Sequence, residues 1–584
     1  MKITLRLLAY VKYHWLGMFF SFILLVLATA SELVMPRILG QGIDTALNSG
    51  AQSTIIMDAI LVVFAAAVTG FANFGSQYLA QRTSQSTAYD MRNELYDHLQ
   101  RLSFAYYDKA QTGQILSRAT VDVEAVREFI ARGVTDTIQN VLMLIGVLYL
   151  LFSLNWQLAL ITSVFLPPIG WVVYYFGHRV GPMWLKVQQT MGALGNTLQE
   201  NLMGVRVVKA FSRQEEESRK FDKDARILYD QTVFTAKQQA LNMPLMFVLM
   251  GIPAGVILWY GGRQVIEGTL TVGGVTQFIL YLGMLAWPIQ MMGQTVNTYT
   301  RFVSGGQRIL EILDTESAVK DKPGAITLNG VKGRICFENV NFSYTGNEDT
   351  LRDINFSAES GQKVALVGVS GSGKSTITHL MLRFYDVTSG RITIDGVDVR
   401  DVTLASMRQH IGVAQQDVFL FNGSIRTNIG FGLPEASMEQ IIAAAKTAQI
   451  HDFVQSLPEG YDTWVGERGL TLSGGEKQRI VIARTLLMNP SVLILDDSTS
   501  SVDARTEHLI RNSLEELIKG RTAFIITHRL PVIRNADLIL VLKDGQIVEK
   551  GKHDDLINQN GIYRQIYSSQ LDAAQSNLKT VAEA

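Results

Sequence analysis

Two stretches of this 584-residue chain carry side chains whose types and spacing could do phosphate chemistry. The first is GVSGSGKST, Gly368 to Thr376, which follows the apolar run KVALV with Gly-x-x-x-x-Gly-Lys-Ser spacing. Gly368, Gly371 and Gly373 let the backbone curl so that successive N–H groups point at one anion, and a helix beginning at Lys374 adds its positive dipole end. Lys374 is then expected to reach the β- and γ-phosphates of a nucleotide and the Ser375 hydroxyl to bind Mg²⁺, with Ser370 and Thr376 completing the phosphate-facing set. The second stretch, SVLILDDSTSSVD, ends an apolar run on two adjacent carboxylates, Asp496 and Asp497. At a phosphate-hydrolysing site Asp497 is a candidate general base. A third stretch, TLSGGEKQR, opens the amphipathic pattern KQRIVIARTLL with Ser473, Gly474, Gly475 and Glu476, which reads as another anion-binding helix N-terminus.

The elements that must position these residues are legible from pattern. Short apolar runs (KVALVG, SVLILDD, TAFIITH) alternate with helical stretches, which predicts an α/β domain around a largely parallel sheet. LILVLKDGQIVEKG adds a hairpin turning at Asp544-Gly545. Upstream the chain changes character. Windows 15–31, 59–81, 238–262 and 269–300 hold no Asp, Glu, Lys or Arg, and each approaches or exceeds the ~20 residues that cross a bilayer. Window 137–177 is about two spans long and contains the polar break Ser153-Leu154-Asn155-Trp156-Gln157, so it reads as a hairpin and brings the spans to six. A cleavable signal peptide is not expected, because no small-residue cleavage pattern follows a short apolar run.

Charge sets the orientation. Connections 82–136 and 178–240 carry seven and ten Lys or Arg, whereas 37–55 and 262–272 carry one each, so the two long connections are cytoplasmic. Their helical spacing predicts that the spanning helices continue well past the bilayer. The start, KITLRLLAYVKYHW, reads as an interfacial helix with Lys2, Arg6 and Lys12 on the inner side. The Gly-, Pro- and charge-rich stretch LDTESAVKDKPGAITLNGVKG marks a linker, which gives a membrane domain over 1–312, a linker over 313–332 and a nucleotide-binding domain over 333–584. The net charge of −1 gives no reason to expect nucleic acid as a partner, and the single cysteine, Cys336, reads as a small buried apolar residue.

Taken with the Gln415-Gln416 pair and His528 after TAFIITH, these motifs resemble the nucleotide-binding domain of ATP-binding cassette (ABC) transporters, and the whole chain resembles half-transporters of the exporter type: an all-α six-helix membrane domain followed by an α/β ATPase domain. The resemblance implies that Tyr344 stacks on adenine, that Gln416 contacts Mg²⁺ and senses the membrane domain, that Asp496 holds Mg²⁺, and that His528 contacts the γ-phosphate. It further implies that Ser473, Gly474, Gly475 and Glu476 act on ATP held by a partner cassette. Glu467-Arg468-Gly469 resembles the segment that touches the intracellular loops. The segments FAYYDKAQTGQ and NLMGVRVVKAF would dock into the cassettes.

In this family the residue after the Mg²⁺-holding aspartate is usually glutamate; here it is Asp497, one methylene shorter. That departure, with the mild change to Ser500-Ser501-Val502-Asp503, implies an impaired own site and a heterodimer whose other half carries the glutamate. A homodimer with two slow sites and a nucleotide-gated channel of the same architecture are the alternatives. A soluble cassette ATPase is disfavoured by the six spans and an importer by the fused cassette. The expected cofactors are ATP and Mg²⁺, and the expected surroundings are lipid and an amphiphilic or hydrophobic small-molecule cargo. The expected location is a bacterial plasma (inner) membrane, with the N-terminus and ATPase domain cytoplasmic. Phe278, Tyr281, Met284, Trp287, Met291 and Met292, with Met246, Phe247 and Met250, could face that cargo or simply pack. Glu32 reads either as a cation-attracting group or as a helix-end residue among headgroups.

Overall fold

The computed structural model describes residues 2–48, 52–344, 346, 348–414, 418–466, 469, 471–497, 504–527, 529–569 and 571. The chain forms two compact units, one of Met1–Gln100 and Thr112–Thr315, the other of Arg101–Gln111 and Glu316–Ala584.

The first unit is helical: α1 (Lys2–Leu8), α2 (Trp15–Asn48), α3 (Gln52–Arg101), α4 (Val134–Leu154), α5 (Trp156–Ser163), α6 (Leu166–Met203), α7 (Gln214–Ala240), α8 (Asn242–Val256) and α9 (Val272–Leu313) are its main elements. The 50 residues of α3 make a rod of about 75 Å, more than twice the ~30 Å hydrocarbon core, so this helix must stand well clear of a bilayer, as its charged spacing predicts. Five continuous helical runs among the described residues are long and apolar enough to cross a membrane. The predicted hairpin turns at Asn155, which leaves the helical region at φ −157° and caps α5 by accepting from Leu158 N–H at 3.0 Å.

The window 238–262 departs from a single continuous span. Helix α7 ends, Leu241 turns, α8 follows, and a π-turn over Ile257–Gly261 interrupts the course again. Pro244 has no N–H for the Ala240 carbonyl and Pro253 none for that of Leu249, which explains why the window is helical but broken.

Helices α2 and α3 are stitched by two small hydroxyls, Ser21 donating to the Ser76 carbonyl (2.8 Å) and Ser76 to the Ser21 carbonyl (2.9 Å), the kind of polar contact that joins helices in lipid. Phe278 and Tyr281 are no more than 1% exposed and pack with Leu151, Leu158 and Ile257, so they belong to the core of this unit, whereas Trp287 is 66% exposed. The N-terminal helix also differs from a purely interfacial one. Leu7 is fully buried and would meet any Cβ added at Gly306, Arg6 pairs with Asp314 at 2.5 Å, and Tyr10 donates to Glu94 at 2.7 Å. Of its apolar residues Leu7 packs on α9, while Leu5 is 62% exposed.

The second unit holds two sheets. A six-stranded one, in the order β10-β9-β3-β8-β7-β6, consists of β3 (Lys363–Gly368), β6 (Ile411–Ala414), β7 (Val492–Asp497), β8 (Thr522–Thr527), β9 (Leu538–Lys543) and β10 (Gln546–Gly551), with all pairs parallel except β9–β10. Both faces are covered: Val364, Leu366, Phe524 and Ile526 enter one core, while Leu493, Leu495, Ala523 and Ile525 enter another. That explains the unbroken apolar runs in the sequence. A four-stranded antiparallel sheet, β2-β1-β4-β5, goes beyond what the sequence pattern announces; it contains β1 (Ile335–Phe342), β2 (Leu351–Ala358), β4 (Ser389–Ile394) and β5 (Val397–Asp398). In β1 the buried positions run Ile335, Phe337, then Val340, Phe342, because Asn339 at φ +48° inserts an irregularity that switches the parity. A strict two-residue alternation therefore misses it.

Candidate nucleotide site

In open α/β sheets ligands bind beyond the carboxyl ends of the parallel strands. Here β3, β8, β7 and β6 end on one edge at Gly368, Thr527, Asp497 and Ala414. The loop after β3 leads into α10 (Lys374–Met381). Two of its glycines are fixed by space and conformation. A Cβ at Gly368 would collide with the Leu542 carbonyl oxygen, and Gly373 sits at φ +102° with Leu351 Cδ2 2.5 Å from where its Cβ would be. Ser370 and Gly371 stand exposed at the crest of the loop.

Lys374 is only 9% exposed. Its Nζ donates to the carbonyls of Gly368 (2.9 Å) and Val369 (2.8 Å), so the ammonium lies inside the curl of the loop. Burial pulls its pKa below that of an ordinary lysine, and the negative charge of Asp496 partly offsets this. That field links the end of β7 to the loop across the intervening β8. Ser375 is exposed on the first turn of α10, while Thr376 is buried and accepts from Tyr344 Oη at 3.2 Å. The Tyr344 ring, 41% exposed, meets Phe342 and Tyr385 edge-on at 4.8 and 5.1 Å.

The donors suit the groups this chemistry needs. An exposed serine hydroxyl and a strand-end carboxylate are hard oxygen ligands, of the kind Mg²⁺ takes from protein while phosphates and water complete its shell. Among the described residues no group of three or more His, Cys, Asp or Glu could hold a metal by itself. Gln416, Glu467, Arg468, His528 and the side chain of Asp497 lie outside the described residues.

Ser473 is the N-cap of α11 (Gly474–Met488), with a reciprocal capping box: the Glu476 N–H donates to Ser473 Oγ (3.4 Å) and Ser473 N–H to Glu476 Oε2 (2.7 Å). Ser473 and Gly474 are exposed and Gly475 is buried. Further along α11, Arg484 donates to the Asn428 and Phe419 carbonyls and lies over the rings of Phe421 and Phe431; burial pulls its pKa down to about 10. It thereby ties this helix to the segment that follows β6.

The expected docking segment 104–114 meets a cluster beside α10 whose cassette-side residues sequence reasoning did not name. The Phe104 ring stacks on Phe384 at 3.9 Å, and Tyr385 Oη donates to Asp108 at 2.5 Å. Tyr385 touches Tyr344, and Tyr344 touches Thr376 and, at 3.5 Å, His379. A run of contacts therefore leads from the segment Arg101–Gln111 to the phosphate loop. The available signal was Arg383-Phe384-Tyr385-Asp386, an aromatic pair placed just after the loop helix. The segment 201–211 instead belongs to the first unit, where its short helix Val205–Ala210 is flanked by Met203 and Phe211, 78% and 73% exposed.

Residues 18–289 match the family described as ABC transporter transmembrane region, and residues 351–500 match the family described as ABC transporter. YknU of Bacillus subtilis, an uncharacterized ABC transporter ATP-binding protein, is 39% identical over 94% of both chains. An ATP-dependent lipid A-core flippase of Syntrophus aciditrophicus is 39% identical over 88% of this chain and 85% of its own. A bacterial Atm1-family ABC exporter solved with ATP bound superposes with a TM-score of 0.78 at 30% identity, over 94% of this chain and 97% of that one. With its apolar helices, its phosphate loop and this span of likeness, the chain belongs to the ATP-binding cassette exporters, integral membrane proteins that couple ATP hydrolysis to transport.

Proposed function

We propose that the chain exports amphiphilic small molecules, drugs or lipids, from the cytoplasmic side of a bacterial plasma membrane, as the half of a heterodimer whose own ATP site is the slow one. The observation that carries this reading is Asp497 at the end of β7, directly after Asp496. A general base must lie within about 2.6–3.2 Å of the water it activates. Shortening the side chain by a methylene withdraws its carboxylate by about one bond length, a misplacement that can cost ~10²-fold in rate.

Binding is a separate matter. Lys374, Ser375 and the loop amides hold the phosphates, and Tyr344 offers a ring to the base, so affinity for ATP stays intact. Ser375, Gln416 and Asp496 would hold Mg²⁺, which supplies positive charge to the phosphates. His528 would meet the γ-phosphate. The Ser473 helix would cap ATP on the partner, whose glutamate makes that composite site the fast one. The exposed Val205–Ala210 segment, which stays with the membrane unit, would dock on a cassette of the partner.

Asp497→Glu tests the reading. With the partner's site disabled, single-turnover hydrolysis at this site is expected to rise severalfold with ATP affinity unchanged, since ground-state phosphate contacts are untouched. Wild-type turnover already equal to that of the variant would show that Asp497 is a competent base. Purification of the active transporter as a single chain type would favour the homodimer.

A further inference from the structure

Glu32 is an acidic residue held inside the apolar layer of the membrane unit. Three contacts fix its depth. Ser31 Oγ donates to the Ala65 carbonyl at 2.9 Å, and Ala65 is seven residues, about 10 Å along the axis, from the last charged residue of that end of α3, Asp58. A Cβ on Gly146 of α4 would run into Leu33 Cδ1, and Gly146 is about 12 Å below the end of α4 at Leu154. Tyr281 Oη donates to the Leu33 carbonyl at 2.9 Å, and Tyr281 is about 13 Å along α9 from Val272. The three helices agree in placing Glu32 about 10–13 Å inside these marks rather than at a helix end.

Its direction follows from the helix face. Leu25, Ala28, Thr29, Pro36 and Gly40 are the buried residues of α2 around it, at the three-, four-, seven- and eight-residue offsets that share one side. Glu32, half-buried, lies on that side and so faces the bundle rather than lipid. No hydrogen bond or ion pair to its carboxylate occurs among the described residues. Arg37 lies about 140° round the helix from Glu32, and its charge acts on Tyr281. Windows 59–81, 137–177 and 269–300, which supply the flanking helices at this depth, contain no Lys or Arg. An ionisable group inside a membrane is rare and costly, and it characteristically meets an ion or substrate path.

We propose that Glu32 is the counter-charge for a cargo that is an amphiphilic cation, such as a quaternary ammonium or phosphonium compound with an apolar body. The cation would fill the place of the missing basic side chain, and the apolar body would lie along the half-buried Met284 and its neighbours on α9. This rests on the reading of the chain as an exporter of amphiphiles and narrows its cargo by charge.

The test uses the assembled transporter in liposomes with two probes of like shape, tetraphenylphosphonium and uncharged tetraphenylsilane. Wild type is expected to bind and move the cation at least tenfold more effectively, Glu32→Gln to erase that preference without altering the neutral probe, and Glu32→Asp to keep most of it, with each variant inserted into the membrane as wild type is. Equal handling of the two probes by wild type, or a preference that survives in Glu32→Gln, overturns the proposal and leaves amphiphile export standing. Absence of ATP-driven movement of either probe overturns the export of such amphiphiles and this inference with it.

Discussion

Gly373 shows how much of the site a single position decides. Its φ of +102° and the Leu351 methyl 2.5 Å from where a Cβ would stand leave no room for a side chain, and an L-residue forced toward the left-handed region costs about 1–2 kcal/mol before any clash is counted. Gly373→Ala is therefore expected to lower ATP affinity at this site at least tenfold while membrane insertion and the sheet are retained. Nucleotide binding measured with circular dichroism as the control checks it, and affinity within twofold of wild type would show that the loop closes without the glycine. This residue and Lys374 were legible because phosphate binding needs glycines and a lysine at fixed spacing. Tyr385 was not: it and Asp108, of the expected docking segment, lie 277 positions apart in sequence and meet only through the fold.

At the scale of elements, the segment Arg101–Gln111 clusters with the cassette unit. Phe104 on Phe384 anchors it, and a stacked aromatic pair contributes about 0.5–1.5 kcal/mol beyond its buried area. From there contacts pass through Tyr385 and Tyr344 to Thr376 on the loop helix. Phe104→Ala is expected to lower the amount of cargo moved per ATP hydrolysed severalfold, with ATP affinity unchanged, because the contact lies outside the phosphate loop. Parallel measurement of flux and phosphate release in proteoliposomes decides it; an unchanged ratio would mean that this anchor carries no coupling. The elements themselves were unevenly legible. Parallel strands buried on both faces announced themselves as apolar runs, whereas β1 hid behind the parity change at Asn339. Window 238–262 gave its helical character but not its breaks, since Pro244 and Pro253 interrupt backbone pairing without altering hydropathy.

The whole chain carries one cassette, and its two anion-binding helix starts belong to different parts of that cassette. The phosphate loop and α10 pack into one hydrophobic core with the antiparallel sheet, through Ile377, Leu380 and Met381. Helix α11 packs into another, through Ile480, Val481 and Ile482, and its exposed N-cap Ser473 exchanges hydrogen bonds with Glu476 one turn along. On the proposed function, a site closed by both starts takes its second one from another cassette. In the heterodimer proposed above, Ser473 would serve the partner's fast site and Asp497 the slow one. Ser473→Arg places a bulky cation against the helix start and removes the cap, and it is expected to reduce steady-state ATP turnover of the assembled transporter at least tenfold. Asp497→Asn removes a carboxylate that on this proposal contributes little to that turnover, and it is expected to reduce it less than twofold. Co-purification of the partner with each variant is the control for assembly. Steady-state phosphate release from the two variants separates the readings: the predicted order supports division of labour between unequal sites, and a larger loss from Asp497→Asn would place this chain's own site at the centre of turnover and favour two equal sites.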